Sequence, residues 1–423
     1  MGLLSNDVRR YQVIISAIFG ILCIIIIALI WFFDLESEAV EYRFKDAEDV
    51  FNGRPITMEF PPLALVFVTI PRIFSATPFG YNVGYITMMA VFFVVGLLIT
   101  CKIAERLGKD QKTFMLAYSV FTFALFTFVI DRHDIIPVVL TLAAIYCYIT
   151  KRYTWAFAFL ALGTMVKLYP AVLFLVFLIP LMMERRWNDA LKGIGGFAVA
   201  SLAILVPVLI VQPDMLFYFI DYHSDRPLQI ESTAATIISL FSMAGLTETH
   251  RVFSYGSDNV IGPWPDAVAP WLTPLAIASV VIVAVVYLFM LKNIRGKGDA
   301  NDRMYLFAGF TVLSVAVFIL MGKVFSSQYI MWVIPPLLFM LMLSDDPAWK
   351  RTAFVLFLAT IGMIILQFSY IVAYLGGGEN INDLSFLMIF VKNVVMVAFT
   401  YHVVRSVYER YRSVERSPDQ GPC

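Results

Sequence analysis

The sequence predicts an all-α, polytopic integral membrane protein with about twelve transmembrane helices, and three observations carry that prediction. Of the 423 residues 60% are hydrophobic and only 15% charged, with a mean hydropathy of +0.80, well outside soluble composition. Apolar runs near the length that spans a bilayer recur along the whole chain. The 31 basic and 31 acidic residues cancel in total but not in distribution. With both termini cytoplasmic, 21 of the 31 Lys and Arg fall in inner segments and 19 of the 31 acids outside, a positive-inside pattern.

Taken in order, the first run, 13–33, lacks the short apolar core and small-residue cleavage site of a secretory signal and reads as a retained helix. Polar breaks then delimit spans at about 81–100, 113–130, 135–150, 154–168, 169–183, 193–211, 270–290, 304–321, 329–343, 352–374 and 384–404. Two outer segments are long. The first, 34–80, carries Asp34, Glu36, Glu38, Glu41, Asp46, Glu48, Asp49 and Glu59 and ends on the stiff segment Phe60-Pro61-Pro62. Within it Val40, Phe44, Ala47 and Phe51 recur at i, i+4, i+7 and i+11, with Glu38, Tyr42, Lys45 and Asp49 opposite. That spacing predicts an amphipathic helix in the membrane plane, stopped by Gly53. The second, 212–269, carries Asp221, His223, Asp225, Arg226, Gln229 and Glu231 ahead of another apolar stretch. Residues 1–416 read as one membrane-embedded domain and 417–423 as a disordered tail. Cys23, Cys101, Cys147 and Cys423 show no C-x-x-C spacing, which argues against a disulfide framework and a zinc site.

Ionisable groups at membrane depth or at its rim are costly, so each invites a functional reading. Four places stand out: Asp131-Arg132-His133-Asp134, Lys167-Leu168-Tyr169-Pro170, the cluster from His223 to Glu231, and Gly322-Lys323 ahead of Ser326-Ser327-Gln328-Tyr329. The predicted topology puts all four on the side of the acidic loop. A cavity with carboxylates on one wall and Arg132, Lys167, Arg226 and Lys323 on others suits a substrate with an anionic phosphate and hydroxyl groups. The plainer alternatives are a solvated face for the acidic helix, a snorkelling Lys167, and loop caps for Asp131 and Asp134. The Tyr169-Pro170 helix break after Lys167 speaks for a cavity lining, because broken helices at depth line cavities. His250 and His402 are unremarkable, and no P-loop, H-E-x-x-H, G-x-S-x-G or dinucleotide fingerprint supports soluble nucleotide or nucleic-acid chemistry.

These residues together resemble the polyprenyl-phosphate-mannose-dependent glycosyltransferases of family 87. The resemblance rests on Ser37-Glu38-Ala39-Val40-Glu41-Tyr42, then Ala47, Asn52-Gly53, Pro55 and Glu59-Phe60-Pro61-Pro62-Leu63-Ala64. It continues through Asp131 to Pro137, Lys167 to Pro170, Tyr222 to Ser232, and Ser327 to Trp332 with Pro335. It implies the C-type glycosyltransferase fold and transfer of a hexose, mannose, from a polyprenyl-phosphate donor to a hydroxyl of a glycolipid or glycan acceptor. That transfer would proceed with inversion, at the extracytoplasmic face of the cell membrane.

By the resemblance Glu38 is the catalytic base, although the family carries Asp there. The spacing from Tyr42 to Ala47 is one residue longer than the family's, so Glu41, Asp46 and Asp49 stay open as alternatives. Asp134 would orient sugar hydroxyls, and Lys167, Arg226, His223 and Lys323 would meet the phosphate. Tyr42, Glu59, Arg132, Tyr169, Gln229, Glu231, Gln328 and Tyr329 complete the expected substrate-binding set. No cofactor is required; a divalent ion at Asp131 and Asp134 is the one metal site the spacing leaves room for, and a monophosphate donor does not need it. A transporter or flippase of lipid-linked sugar or anionic solute is the rival reading. Polar groups confined to one side, with no paired half-repeats, favour the enzyme.

Overall fold

The computed structural model describes residues 6–33, 39–374 and 383–417, and helices make up nearly all of its regular structure. Among the described residues seven helices are long and apolar enough to cross a membrane: Asn6–Phe33, Pro78–Arg106, Trp187–Val211, Pro263–Asn293, Ala300–Met321, Pro347–Gln367 and Leu384–Glu415. Six further apolar helical elements are shorter, among them Leu63–Phe74, Ile135–Ile149, Tyr153–Val166, Tyr169–Met183 and Ser327–Leu343. The polytopic all-α class is as expected; the seven long helices and the shorter apolar ones do not by themselves establish the count of twelve. A 15-residue helix such as Ile135–Ile149 reaches only ~22 Å, short of a ~30 Å hydrocarbon layer.

Several boundaries moved for local reasons. The run expected as 113–130 is two helices, Gln111–Ala124 and Phe126–Asp131, interrupted at Leu125 within an aromatic-rich stretch of weak helix formers. The run expected from residue 81 starts at Pro78, because Thr77 caps it by accepting from the Gly80 N–H and proline suits the first helical position. Both Tyr169–Leu173 and Ser327–Val333 are 3₁₀ turns that lead into the α-helices Phe174–Met183 and Ile334–Leu343.

The chain divides into two compact units. The first comprises Met1–Phe174 and Trp187–His223, the second Leu175–Arg186 and Ser224–Cys423. In the first, Trp187–Val211 packs on Tyr153–Val166, which packs on Ile135–Ile149, which in turn meets Pro78–Arg106. Glycines permit the closest of these approaches: a Cβ on Gly196 would collide with the Thr154 carbonyl and one on Gly193 with the Phe157 ring. In the second unit Ala300–Met321 is the central helix, with 72% of its most apolar window buried, and it packs against Pro263–Asn293, Ile334–Leu343 and Asp383–Glu415. The segment expected as the second outer loop holds the helices Asp214–Asp225 and Thr233–Met243. It also holds a small antiparallel sheet, in which Ser257–Ile261 lies between Leu228–Gln229 and His250–Ser254.

Candidate active site

In the first unit the acidic loop does not fold as one regular amphipathic helix. Ala39–Phe44 is π-helical and Lys45–Phe51 α-helical, which absorbs the extra residue between Tyr42 and Ala47 as a local widening of the turn. Arg43 and Ala47 are buried, while Phe51, expected on the apolar face, is 51% exposed, as is much of Tyr42. Gly53, at φ +63°, ends the helix as expected, with the Arg54 N–H reaching the Asp49 carbonyl at 2.8 Å.

The stiff Glu59-Phe60-Pro61-Pro62 segment then sets the Phe60 ring among charged groups. The Arg43 guanidinium lies 4.6 Å and the Lys167 ammonium 4.5 Å from its centroid, and the His133 ring meets it edge-on at 4.4 Å. Arg43 is also 3.9 Å from the Glu59 carboxylate, and His223 Nε2 donates to the Glu59 carbonyl at 3.0 Å. Lys167 Nζ and Asp134 Oδ2 lie 3.1 Å apart, with the lysine side chain 9% and the aspartate 0% exposed.

Local sequence explains both positions. Asp134 opens the helix Ile135–Ile149, at the positive end of its dipole, but its side chain makes no capping bond and meets Lys167 instead, so the capping alternative is set aside. Lys167 lies in extended backbone where Tyr153–Val166 ends. Pro170 folds back so closely that a Cβ on Gly163 would approach its ring to 2.9 Å. The lysine is therefore turned inward, which sets aside snorkelling.

Other expected residues of this unit are placed as follows. The Tyr169 hydroxyl is taken up by the Pro137 carbonyl at 3.0 Å and Thr141 at 2.9 Å, bracing the start of that helix. Arg132 is half-buried. Glu38 lies outside the described residues. Of the alternatives to it, Asp49 is held by Arg54 at 3.3 Å, and Asp46 is half-buried, where desolvation, opposed by Arg43 and reinforced by Glu59, pushes its pKa up to about 6. Burial, and then Lys167, Arg43 and Arg132, hold the His133 pKa well below the ordinary histidine range, so its imidazole is neutral at pH 7. Among the described residues no three His, Cys, Asp or Glu are grouped to hold a metal, Asp131 and Asp134 included.

The second unit gathers the remaining residues. The Gln229 N–H donates to the Lys323 carbonyl at 3.0 Å and its side chain accepts from the Phe325 N–H at 2.8 Å, tying the short strand to the loop after Met321. Lys323 Nζ donates to the Ser224 and Arg226 carbonyls, both at 3.0 Å, and burial, then Arg226, lowers its pKa. Arg226 donates to Ser257 at 2.7 Å, Gln328 accepts from Ser326 at 2.8 Å, and Tyr329 stacks on Trp332 at 3.8 Å. Glu231 accepts from Gln367 at 2.6 Å and Ser327 at 3.1 Å and lies 3.5 Å from Lys392.

Arg43, Gln367 and Lys392 were not among the expected site residues, and His133 stood only as part of the block Asp131 to Asp134. A signal existed for Lys392, a lone ionisable residue inside an apolar span. None existed for Arg43.

A family model described as glycosyltransferase family 87 matches residues 59–321, more than half of the chain. Among solved structures, the crystal structure of ArnT from Cupriavidus metallidurans bound to undecaprenyl phosphate is similar over 93% of this chain and 77% of that chain, at 14% identity and a TM-score of 0.45. No curated protein matches the chain.

Proposed function

The chain belongs to glycosyltransferase family 87, and from that premise we propose that it transfers mannose from a polyprenyl-phosphate donor to a hydroxyl of a glycolipid or glycan acceptor. The reaction inverts the anomeric carbon and takes place at the extracytoplasmic face of the cell membrane. The observation that supports this best is the buried Lys167–Asp134 pair beside Arg43 and Phe60: a fixed cation and a fixed carboxylate held away from water at a break between apolar helices.

The acceptor hydroxyl attacks C1, a carboxylate takes its proton, and the bond from C1 to the phosphate oxygen breaks with the electron pair leaving on the polyprenyl phosphate. Lys167 stabilises the charge that develops on that leaving group, because a preorganised cation in a dry site costs no reorganisation when the bond breaks. Asp134 holds the lysine in place and orients sugar hydroxyls. Glu38 is assigned as the base. Asp46 is the first alternative, since a carboxyl titrating near 6 accepts a proton more readily at neutral pH than an ordinary one. His223 is assigned to the donor phosphate within the first unit; in the second, Lys323, with its ammonium on two carbonyls, shapes the loop that carries Arg226. No step calls for a metal.

The test is transfer of radiolabelled mannose from mannosyl polyprenyl phosphate to glycolipid acceptors by the purified protein in nanodiscs. Labelled acceptor of inverted configuration is expected, with Glu38→Gln and Asp46→Asn compared side by side to identify the base. Movement of the lipid or of a solute across the bilayer without transfer would reject the proposal in favour of a transporter.

A further inference from the structure

Helix Asp383–Glu415 carries Lys392, whose side chain is 0% exposed. A buried ammonium in a spanning helix is costly and is retained where something depends on it. Its nitrogen lies 3.5 Å from the Glu231 carboxylate and 4.2 Å from the Phe325 ring centroid. It also donates to the backbone carbonyls of Glu231 and Phe325 at 3.3 and 3.5 Å. The next residue, Asn393, donates to the same Glu231 carbonyl at 3.2 Å and to Thr236 at 2.6 Å. Glu231 is thus fixed at its backbone by two neighbours on one helix and at its carboxylate by Lys392, Gln367 and Ser327.

Two features separate this cluster from an ion pair that only ties helices together. The Glu231 side chain keeps 15% of its surface accessible, so the carboxylate presents an open edge. The amide oxygens Gln367 Oε1 and Asn393 Oδ1 are both buried without a hydrogen-bond partner. A carboxylate with spare lone pairs beside two idle amide acceptors is short of donors, and a polyhydroxylated ligand supplies donors without bringing charge.

We propose that Lys392 is a positioning residue that holds Glu231 so that its carboxylate accepts hydrogen bonds from hydroxyls of the donor hexose. This rests on the sugar-transfer reading above. A purely structural pair behaves differently on removal, because replacing both members of a buried ion pair by apolar residues leaves stability unchanged or raises it. The paired variant Lys392→Met/Glu231→Leu therefore keeps the fold while removing the arrangement.

The experiment compares binding of mannosyl polyprenyl phosphate with binding of polyprenyl phosphate alone, by wild type, Lys392→Met, Lys392→Arg and the paired variant in nanodiscs, beside thermal unfolding and the transfer assay. The expected result is that wild type prefers the mannosylated lipid by about tenfold, the loss of one hydrogen bond to a charged group being of that order. Lys392→Met and the paired variant lose the preference, with KM for the donor raised more than kcat falls, and Lys392→Arg recovers part of it. A paired variant that unfolds like wild type and still prefers the mannosylated lipid overturns the inference. Should Lys392→Met fail to fold, the paired variant decides alone. Absence of transfer by wild type that nevertheless shows the preference would count against the reaction and leave the positioning role supported.

Discussion

Replacing Lys167 by methionine keeps most of the side-chain volume and removes its charge, which strands the fully buried Asp134 carboxylate. At 3.1 Å and an effective dielectric constant of about 20, the attraction lost is about 5 kcal/mol. The intact pair contributes far less than that to stability, since withdrawing each ion from water costs several kcal/mol. The asymmetric removal is the damaging one, at roughly 3–5 kcal/mol, because the carboxylate has already been desolvated and loses its counter-charge. The expected outcome is a lowered unfolding temperature in detergent together with loss of transfer. Lys167→Met/Asp134→Leu should regain stability and still not transfer. An exposed helix pair such as Arg405 with Glu409 is the control, where Arg405→Ala should leave unfolding unchanged. Two results would refute the reasoning: unaltered unfolding of Lys167→Met, which denies the buried pair, or full transfer by the double variant, which denies its part in the reaction.

Asp46 gives a pH signature. Its folded pKa of about 6 lies above the ~3.9 of an unfolded chain, so between those values the folded state holds a proton that the unfolded state has released. Stability therefore falls as pH rises through that window, by no more than ~3 kcal/mol, and stays level above it. Asp46→Asn should abolish the slope in unfolding temperature between pH 4 and 6.5. In the packing of Trp187–Val211, Gly196→Leu should abolish recovery of folded protein by driving a side chain into the Thr154 carbonyl, whereas Gly195→Ala, with nothing within 4 Å, should behave as wild type in size-exclusion profiles. The buried Cys23, Cys101 and Cys147 should resist a charged maleimide in a Cys423→Ser background until denaturant is added, and labelling of the native protein, followed by mass, would contradict their burial.

Membrane class and helical architecture were legible in the chain because hydrophobic thickness acts on contiguous residues: runs such as 13–33 and 193–211 announce themselves without any partner. Punctuation was equally local. Gly53 ends its helix and Pro170 sits at the start of the turn that follows Lys167, since φ preference and a missing N–H belong to single residues. The blocks that resemble family 87 were likewise readable as written, and the family model matches over 59–321, which takes in those from Glu59 to Ser232.

Partnership was not. That Asp134 meets Lys167 across 33 residues, and Glu231 meets Lys392 across 161, depends on which helix ends come together, and no periodicity encodes that. Nor does the 100° pattern show the buried cation of the acidic loop: it places Phe51 inward, whereas the structure leaves Phe51 half-exposed and buries Arg43. Hydropathy acts residue by residue along the chain and so can be read from it. The pairing of buried charges is settled only when packing removes the water between them, because that step alone fixes the distance and the dielectric on which their energy depends.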